Sequence, residues 1–472
     1  MRRVAVVGAG FGGLGAALYR AEAGDEVVLF EALRVPGGCA SSFVRGGVRF
    51  DAGATLTAGL APDGVFTRRL ARHGLQVALE PEDGLTVQTS AGAFRPAHDR
   101  RAWVDHLCDL LPDRAPGVRA WCAAQARIAD ALWPLFHDPD LLPPVNGAWY
   151  RHIPRLPSYA ALLPWVSRSL GAMLRHHGLH DAAPLRRIVD GLCQITVQSG
   201  ADEVDAITAC AAIDYGWRGV GAPVGGMGTL AEGLAEACRR AGAEVRLADR
   251  VLRLTRAPTG WEVVRRSGSS VFDVVVLNLL PHDADRLLGR PPARSVPDGW
   301  GAAMHYLAVR DAPAWSASPR HAILADDLSS KPTHGHQVFA SLAARTPMAG
   351  SEGLRALTLS THLEADASVA TVEEVQARML ATLRTRWPEV ADAIEADHPA
   401  SPRTFTRFVR RTGGYVGGPI RRPTWRVALD AFPAPIAPGA WRVGDSGFPG
   451  QSTLATFLGG ERVAAALGGP RR

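Results

Sequence analysis

The chain has 472 residues, 47% of them hydrophobic, a mean hydropathy of zero and a formal charge of +6. That length exceeds a usual single core and predicts two domains, and the hydropathy describes a soluble or peripheral globular protein rather than a bundle of membrane spans. Arginine supplies nearly all the positive charge, Lys331 being the single lysine, and no basic run resembles a nucleic-acid patch, so no nucleic-acid partner is expected.

The first predicted elements form one unit. A short apolar strand, Val4-Ala5-Val6-Val7, runs into the turn Gly8-Ala9-Gly10-Phe11-Gly12-Gly13. A helix is predicted from 14 to about 23, closed by Gly24, and a second strand, Val27-Val28-Leu29-Phe30, ends at Glu31. Strand, glycine turn, helix, strand and terminal acid, in that order, make up the dinucleotide-binding fingerprint. Gly8 permits the tight turn, Gly10 lets a pyrophosphate approach the main chain, and Gly13 lets helix and strand pack closely. The helix N-terminus offers N–H groups and a positive dipole end to the phosphates. Glu31 stands where a carboxylate accepts from the adenosine ribose hydroxyls. Met1-Arg2-Arg3 before an apolar run mimics a signal peptide, but cleavage there would remove the nucleotide site.

Gly37-Gly38, with Cys39 behind it, is a second glycine pair directly after the acid. A nicotinamide enzyme has no need of it, and it indicates a main chain crossing close to a longer cofactor. Val48-Arg49-Phe50-Asp51-Ala52-Gly53 reads as a short strand and another tight turn. From about 69 to 214 the composition shifts to Trp, Pro, Leu and Arg. Within 141–179, Trp149, Tyr150 and Trp165 are interleaved with Arg151, Arg155 and Arg168. Rings beside arginines suit a membrane interface; a helical domain with buried tryptophans is the other reading.

After Asp214-Tyr215, a glycine-rich stretch leads into a helix opened as a capping box by Thr229 and Glu232. Strand-like runs follow at 244–247, 251–255, 261–265 and 271–278. The stretch 286–425 contains strands at 304–309 and 355–361, and a helix opened by Thr371 and Glu374 with Val372, Val375, Met379 and Leu383 as its core face. The chain closes on a strand, Trp441-Arg442-Val443-Gly444-Asp445, a turn with Phe448-Pro449-Gly450-Gln451, and a helix at 455–467. No run of about 18 apolar residues is present, so no transmembrane helix is predicted. Six cysteines without a CxxC spacing read as free thiols of a reducing cytoplasm. His334 and His336 are too few to hold a metal, and no metal site is expected.

Gly37-Gly38 followed by Phe50-Asp51-x-Gly53, answered at the far end by Gly444-Asp445, resembles the FAD-containing family of carotenoid desaturases, carotenoid isomerases and retinol saturases, relatives of the amine oxidases. Phe448-Pro449-Gly450-Gln451 resembles the isomerase and 3,4-desaturase branch more than the phytoene desaturase core group. Many members carry Arg or Lys where this chain has Cys39. The resemblance implies an α/β fold: a Rossmann-type FAD-binding domain (1–68, 215–285 and 426–472) interrupted by an α+β substrate domain (69–214 and 286–425). It implies FAD held at Gly8, Gly10, Gly12, Gly13, Glu31, Gly37, Gly38, Cys39 and Gly53. The main chain of Val251 would meet the adenine, and Asp445 the ribityl chain or phosphates. The helix start at Thr453 and Leu454 would face flavin N1 and O2.

The reaction implied is desaturation of a carotenoid by hydride transfer to flavin N5, including C-3,4 desaturation of an acyclic or hydroxylated carotenoid. Cis–trans isomerisation and retinoid saturation use the same constellation. Amine oxidation is disfavoured because Lys331 lies in a turn, whereas amine oxidases of this fold place a lysine near N5 from a strand. A non-enzymatic prenyl carrier would not need Gly444-Asp445. A delocalised polyene cation needs no strong base, and Asp214, Tyr215 and His305 are the residues to test. The expected partners are a hydrophobic polyene and a quinone or oxygen as electron acceptor. The expected location is cytoplasmic, peripheral on the inner face of the cell membrane.

Overall fold

In the computed structural model, Ala440–Arg442, Val274–Leu277, Arg3–Val7, Glu26–Phe30 and Glu244–Arg246 lie side by side in that order, all parallel. The structure describes every residue except 81–84, 91, 96–98, 140, 142–144, 292–298, 313–319, 326–332, 344–352, 426–430 and 469–472. Lys331 and the reading built on it lie outside the described residues. The continuous apolar runs follow from burial on both faces. Val4, Val6, Val27, Leu29 and Val276 enter one core, while Ala5, Val7, Val28, Phe30, Val275 and Leu277 enter another.

The helix Phe11–Glu22 is buried at every position but its last, because it is packed between the helices Met227–Arg240 and Thr453–Ala466. Its contact with the last of these is made through glycines: a Cβ on Gly460 would lie 2.0 Å from the Gly12 carbonyl oxygen. Segments far apart in sequence therefore share one layer. The other face of the sheet carries the antiparallel strands Val251–Ala257, Gly260–Arg265 and Gly268–Phe272. The run expected at 271–278 is thus two strands in two sheets. The chain turns at Asp273, whose N–H donates to the Arg3 carbonyl at 2.9 Å and whose carboxylate accepts from the Arg3 N–H at 2.8 Å.

Both intervening stretches contribute to a third sheet, in the order Ile394–Ala400, Trp300–Arg310, Leu354–Glu364, Gln337–Leu342, His321–Ala325, Leu85–Thr89 and Gly92–Phe94. One face is covered by the helix Val369–Arg386, which buries Val372, Val375, Met379 and Leu383. Ser368, not Thr371, caps it, accepting from the Thr371 N–H at 3.1 Å. The helices Ala183–Val197 and Ala206–Ile213 stand over the other face.

The helix Met227–Arg240 begins two residues before the expected capping box. Its first N–H groups are capped from a distance: Met227 donates to Asp51 Oδ1 and Gly228 to Ser42 Oγ, both at 2.8 Å. No helix among the described residues is long and apolar enough to cross a membrane. Trp149, Tyr150, Ile153, Leu156 and Leu163 are exposed, but Trp165 is buried against His176 and is not part of that surface. All six cysteines are free.

Candidate functional site

A cavity of about 720 Å³, within the range of small-molecule sites, runs from the C-terminal ends of the parallel strands to the inner face of the third sheet. Its nucleotide end is lined by Gly8, Gly10 and Gly12 with Glu31 and Val251. Gly37, Gly38, Cys39 and Gly53 follow along one wall, and Gly444, Asp445, Thr453 and Leu454 close the other. Gly13 alone of the predicted cofactor residues stays outside, packed so that a Cβ would lie 1.9 Å from the Gly8 carbonyl oxygen. That is its expected part, close packing of helix on strand.

The two ends of the chain meet here, since a Cβ on Gly12 would lie 3.0 Å from Gly444 N. The second glycine pair does cross the first turn: Gly37 donates to the Ala9 carbonyl at 2.8 Å and a Cβ on Gly38 would touch Gly10 Cα at 3.7 Å. Positive φ angles of 108° and 59° at Gly37 and Gly38 make glycine necessary at this crossing.

Glu31 is buried, and burial raises its carboxyl pKa, opposed by hydrogen bonds from main-chain N–H groups. Oε2 accepts from the Ala9 N–H at 2.6 Å and Oε1 from the Leu33 N–H at 2.9 Å. The carboxylate therefore ties the glycine turn to the end of the second strand, with the Ala32 N–H directed at it as well, and still has acceptor capacity beyond these three main-chain donors.

At the far end, Asp445 Oδ2 accepts from Arg411 Nη2 at 2.8 Å, and Arg411 Nε donates to the Tyr415 carbonyl at 2.6 Å. Burial pushes the nearby Cys39 thiol up, while Arg411 pulls it down and Asp445 pushes it further up. Arg411 lines the cavity and was not foreseen; nothing in its local sequence marks it. Asn278 was also missed. It follows the strand Val274–Leu277, its Nδ2 donates to the Gly8 carbonyl at 3.3 Å, and its amide lies under Gly10 and Gly12. A polar residue just past the end of a parallel strand was the available signal.

Of the three residues singled out for acid–base work, the structure brings only Tyr215 to the cavity. Its hydroxyl accepts from the Ala58 N–H at 3.0 Å and lies 3.3 Å from Thr57 Oγ1, which in turn is hydrogen-bonded to Thr453 Oγ1. Asp214 is fully buried away from the cavity: Oδ1 accepts from Arg100 Nε at 2.8 Å, and Arg218 pairs with the carboxylate as well. His305 is on the wrong face of its strand. Ala302 and Met304 line the cavity, so by the two-residue alternation His305 points beneath the covering helix. There Nδ1 lies 2.8 Å from Asp397 Oδ1 and Nε2 3.1 Å from the Gln376 carbonyl.

Residues 6–73 match the family model of the NAD(P)-binding Rossmann-like domain. The chloroplastic prolycopene isomerase of Arabidopsis thaliana is 25% identical over 501 residues, covering 98% of this chain and 82% of that protein. The phytoene dehydrogenase of Streptomyces griseus is 31% identical over 309 residues, covering 62% of this chain and 57% of that protein. Among solved structures, putrescine oxidase bound to putrescine superposes with a TM-score of 0.63 at 18% identity, covering 99% of this chain and 98% of that one. That likeness is one of fold.

Proposed function

We propose that this chain, whose homologues are prolycopene isomerases and phytoene desaturases, is an FAD-dependent oxidoreductase that desaturates a carotenoid. The observation that carries the reading is one continuous cavity, glycine-cradled at one end and walled largely by apolar side chains at the other. The residues present fit a flavin dinucleotide. The glycine turn and Glu31 suit its adenosine half, and the crossing at Gly37-Gly38, with Gly444-Asp445, extends the cradle beyond a mononucleotide's length. Bound there, FAD supplies the hydride acceptor that oxidation of an allylic C–H bond requires.

The chain's own part is orientation, electrostatics and proton handling. The positive end of the helix Thr453–Ala466 opens on the cavity and favours negative charge there. Tyr215 Oη, held by the Ala58 N–H and beside Thr57 Oγ1, is the group placed to hold a proton at the cavity, while Thr57 accepts from Thr453 Oγ1 and donates to the Ala58 carbonyl. Met304, Phe339 and Ile323 exclude water from the polyene. C-3,4 desaturation of an acyclic or hydroxylated carotenoid is the finer form of the proposal, with a quinone or oxygen as final electron acceptor. Cis–trans isomerisation is the second reading, favoured by the alignment of a prolycopene isomerase over 98% of the chain.

Product analysis on a carotenoid panel tests both. A product lacking two hydrogens supports desaturation, a geometric isomer of unchanged mass supports isomerisation, and turnover of amines alone contradicts both. The proposal includes peripheral attachment to the inner face of the cell membrane through Trp149, Tyr150, Ile153, Leu156 and Leu163, because a polyene must be loaded from lipid. Liposome flotation that survives serine at all five positions places the attachment elsewhere.

A further inference from the structure

Glu80 stands where two cavities meet. With Thr55 and His321 it lines the large cavity, and the same three side chains line a second one of about 60 Å³. The junction is a seam between the domains. Thr55 follows the strand Val48–Asp51, the Glu80 N–H donates to the Ala222 carbonyl at 2.9 Å, and His321 opens the strand His321–Ala325. The seam also lies near Tyr215, since Thr55 is two residues from Thr57, whose Oγ1 is 3.3 Å from Tyr215 Oη.

The second cavity differs from the first in its walls. Asp51, Ser341, Arg355 and Thr358 join Glu80 and His321 around it, and all but Asp51 are buried. The space has room for more than one water, and a buried water needs about two to four polar partners, which these groups supply. Arg49, Gly225, Gly226, Ala343 and Leu354, also in its wall, are partly exposed, so its far side borders solvent.

The charges around Glu80 suit brief possession of a proton. Arg320 pairs with its carboxylate and disfavours keeping the proton there. His321, whose Nδ1 lies 2.8 Å from Ser341 Oγ, is lowered to about 3 by burial and by Arg320, and so stays neutral. Farther along, burial raises Asp51 to about 6, against Ser42, Met227 and Arg49, and the Glu80 charge adds to the rise. Arg355, the remaining cation in the wall, pairs with Asp311 at 3.6 Å.

Desaturation breaks two C–H bonds. One hydrogen leaves with its electron pair to the flavin proposed above; the other leaves as a proton, and the electrons of its bond form the new C=C bond. With the dinucleotide at one end of the large cavity and the polyene at the other, water is kept from the reacting bond. We infer that Glu80 is a proton relay, taking the substrate's proton from the Tyr215 side of the large cavity and passing it to water in the second. The inference rests on the desaturase reading and deepens it, because isomerisation releases no net proton.

The test uses flavin-loaded protein and a carotenoid from the panel that loses two hydrogens. In an anaerobic single turnover, flavin bleaching reads hydride transfer, and an indicator dye in weak buffer reads the proton reaching solvent. In wild type the two signals are expected to coincide. In Glu80→Gln, whose amide can still accept from Arg320, the proton is expected to lag bleaching about tenfold or more. Formate, small enough for the second cavity, should close that lag. Ala343→Leu, which plugs the rim of the second cavity and leaves Glu80 in place, should produce the lag even if the Glu80 variant does not fold. Coincident signals in the variants, or equal slowing of both signals, overturn the inference alone. If no carotenoid of the panel loses two hydrogens, the desaturase reading fails and the inference with it.

Discussion

At its nucleotide end the cavity is walled by main chain, with Gly12 against Gly444 and Gly38 against Gly10, whereas its floor is walled by Met304, Phe339 and Ile323, side chains brought together from separate strands. The main-chain wall has little slack: a methyl group placed on Gly8 or Gly12 meets a main-chain carbonyl or amide within 3.0 Å. The side-chain wall can repack. The same cavity should thus be intolerant at one end and adaptable at the other, which suits a fixed cofactor beside a substrate that varies.

The largest effect that would break this contrast is expected at Gly13→Ala. A Cβ 1.9 Å from the Gly8 carbonyl oxygen forces the turn open, at a cost of about 3 kcal/mol or more. A denaturation midpoint within error of wild type would show that the turn yields after all. Asp214→Asn is expected to follow at about 3 kcal/mol, because it leaves Arg100 and Arg218 facing a neutral group in a buried pair. Its predicted signature is lost stability with flavin retention intact. Lost turnover at unchanged stability would return Asp214 to the chemistry.

Asp51 gives the contrast a pH dependence. Burial raises its carboxyl from an ordinary value of 3.8 to about 6, against hydrogen bonds from Ser42 and Met227. The folded state thus favours the protonated form. Its contribution is complete below the unfolded pKa and is lost as pH rises through about 6, on the order of 2–3 kcal/mol in all. Denaturation of wild type and Asp51→Asn on both sides of that window should show a decline only in wild type. The smallest effect is expected on the adaptable wall, where Ile323→Val should cost about 1 kcal/mol and leave cofactor binding unchanged.

The same division explains what could be read in the sequence. Gly8 to Gly13, Glu31, Gly37-Gly38 and Gly444-Asp445 were legible because main-chain walls demand glycine at fixed spacing from strands, and those demands are local. Asn278 and Arg411 were not, because their types are ordinary and their partners Gly8 and Asp445 lie in other segments. His305 was misplaced by one strand position, which reverses the face. Asp214 was misjudged because its neutralising partner Arg100 lies 114 residues upstream. The cap of the helix Met227–Arg240 was missed for a like reason, since Asp51 and Ser42 supply it from another motif.

A flavin dinucleotide is the cofactor we propose for the main-chain cradle. Denaturing the purified, folded protein and identifying the released cofactor by chromatography and mass tests it most directly. FAD at close to one per chain is expected; folded, catalytically active protein that releases no flavin, or that releases FMN or a nicotinamide dinucleotide instead, would rule the flavin dinucleotide out.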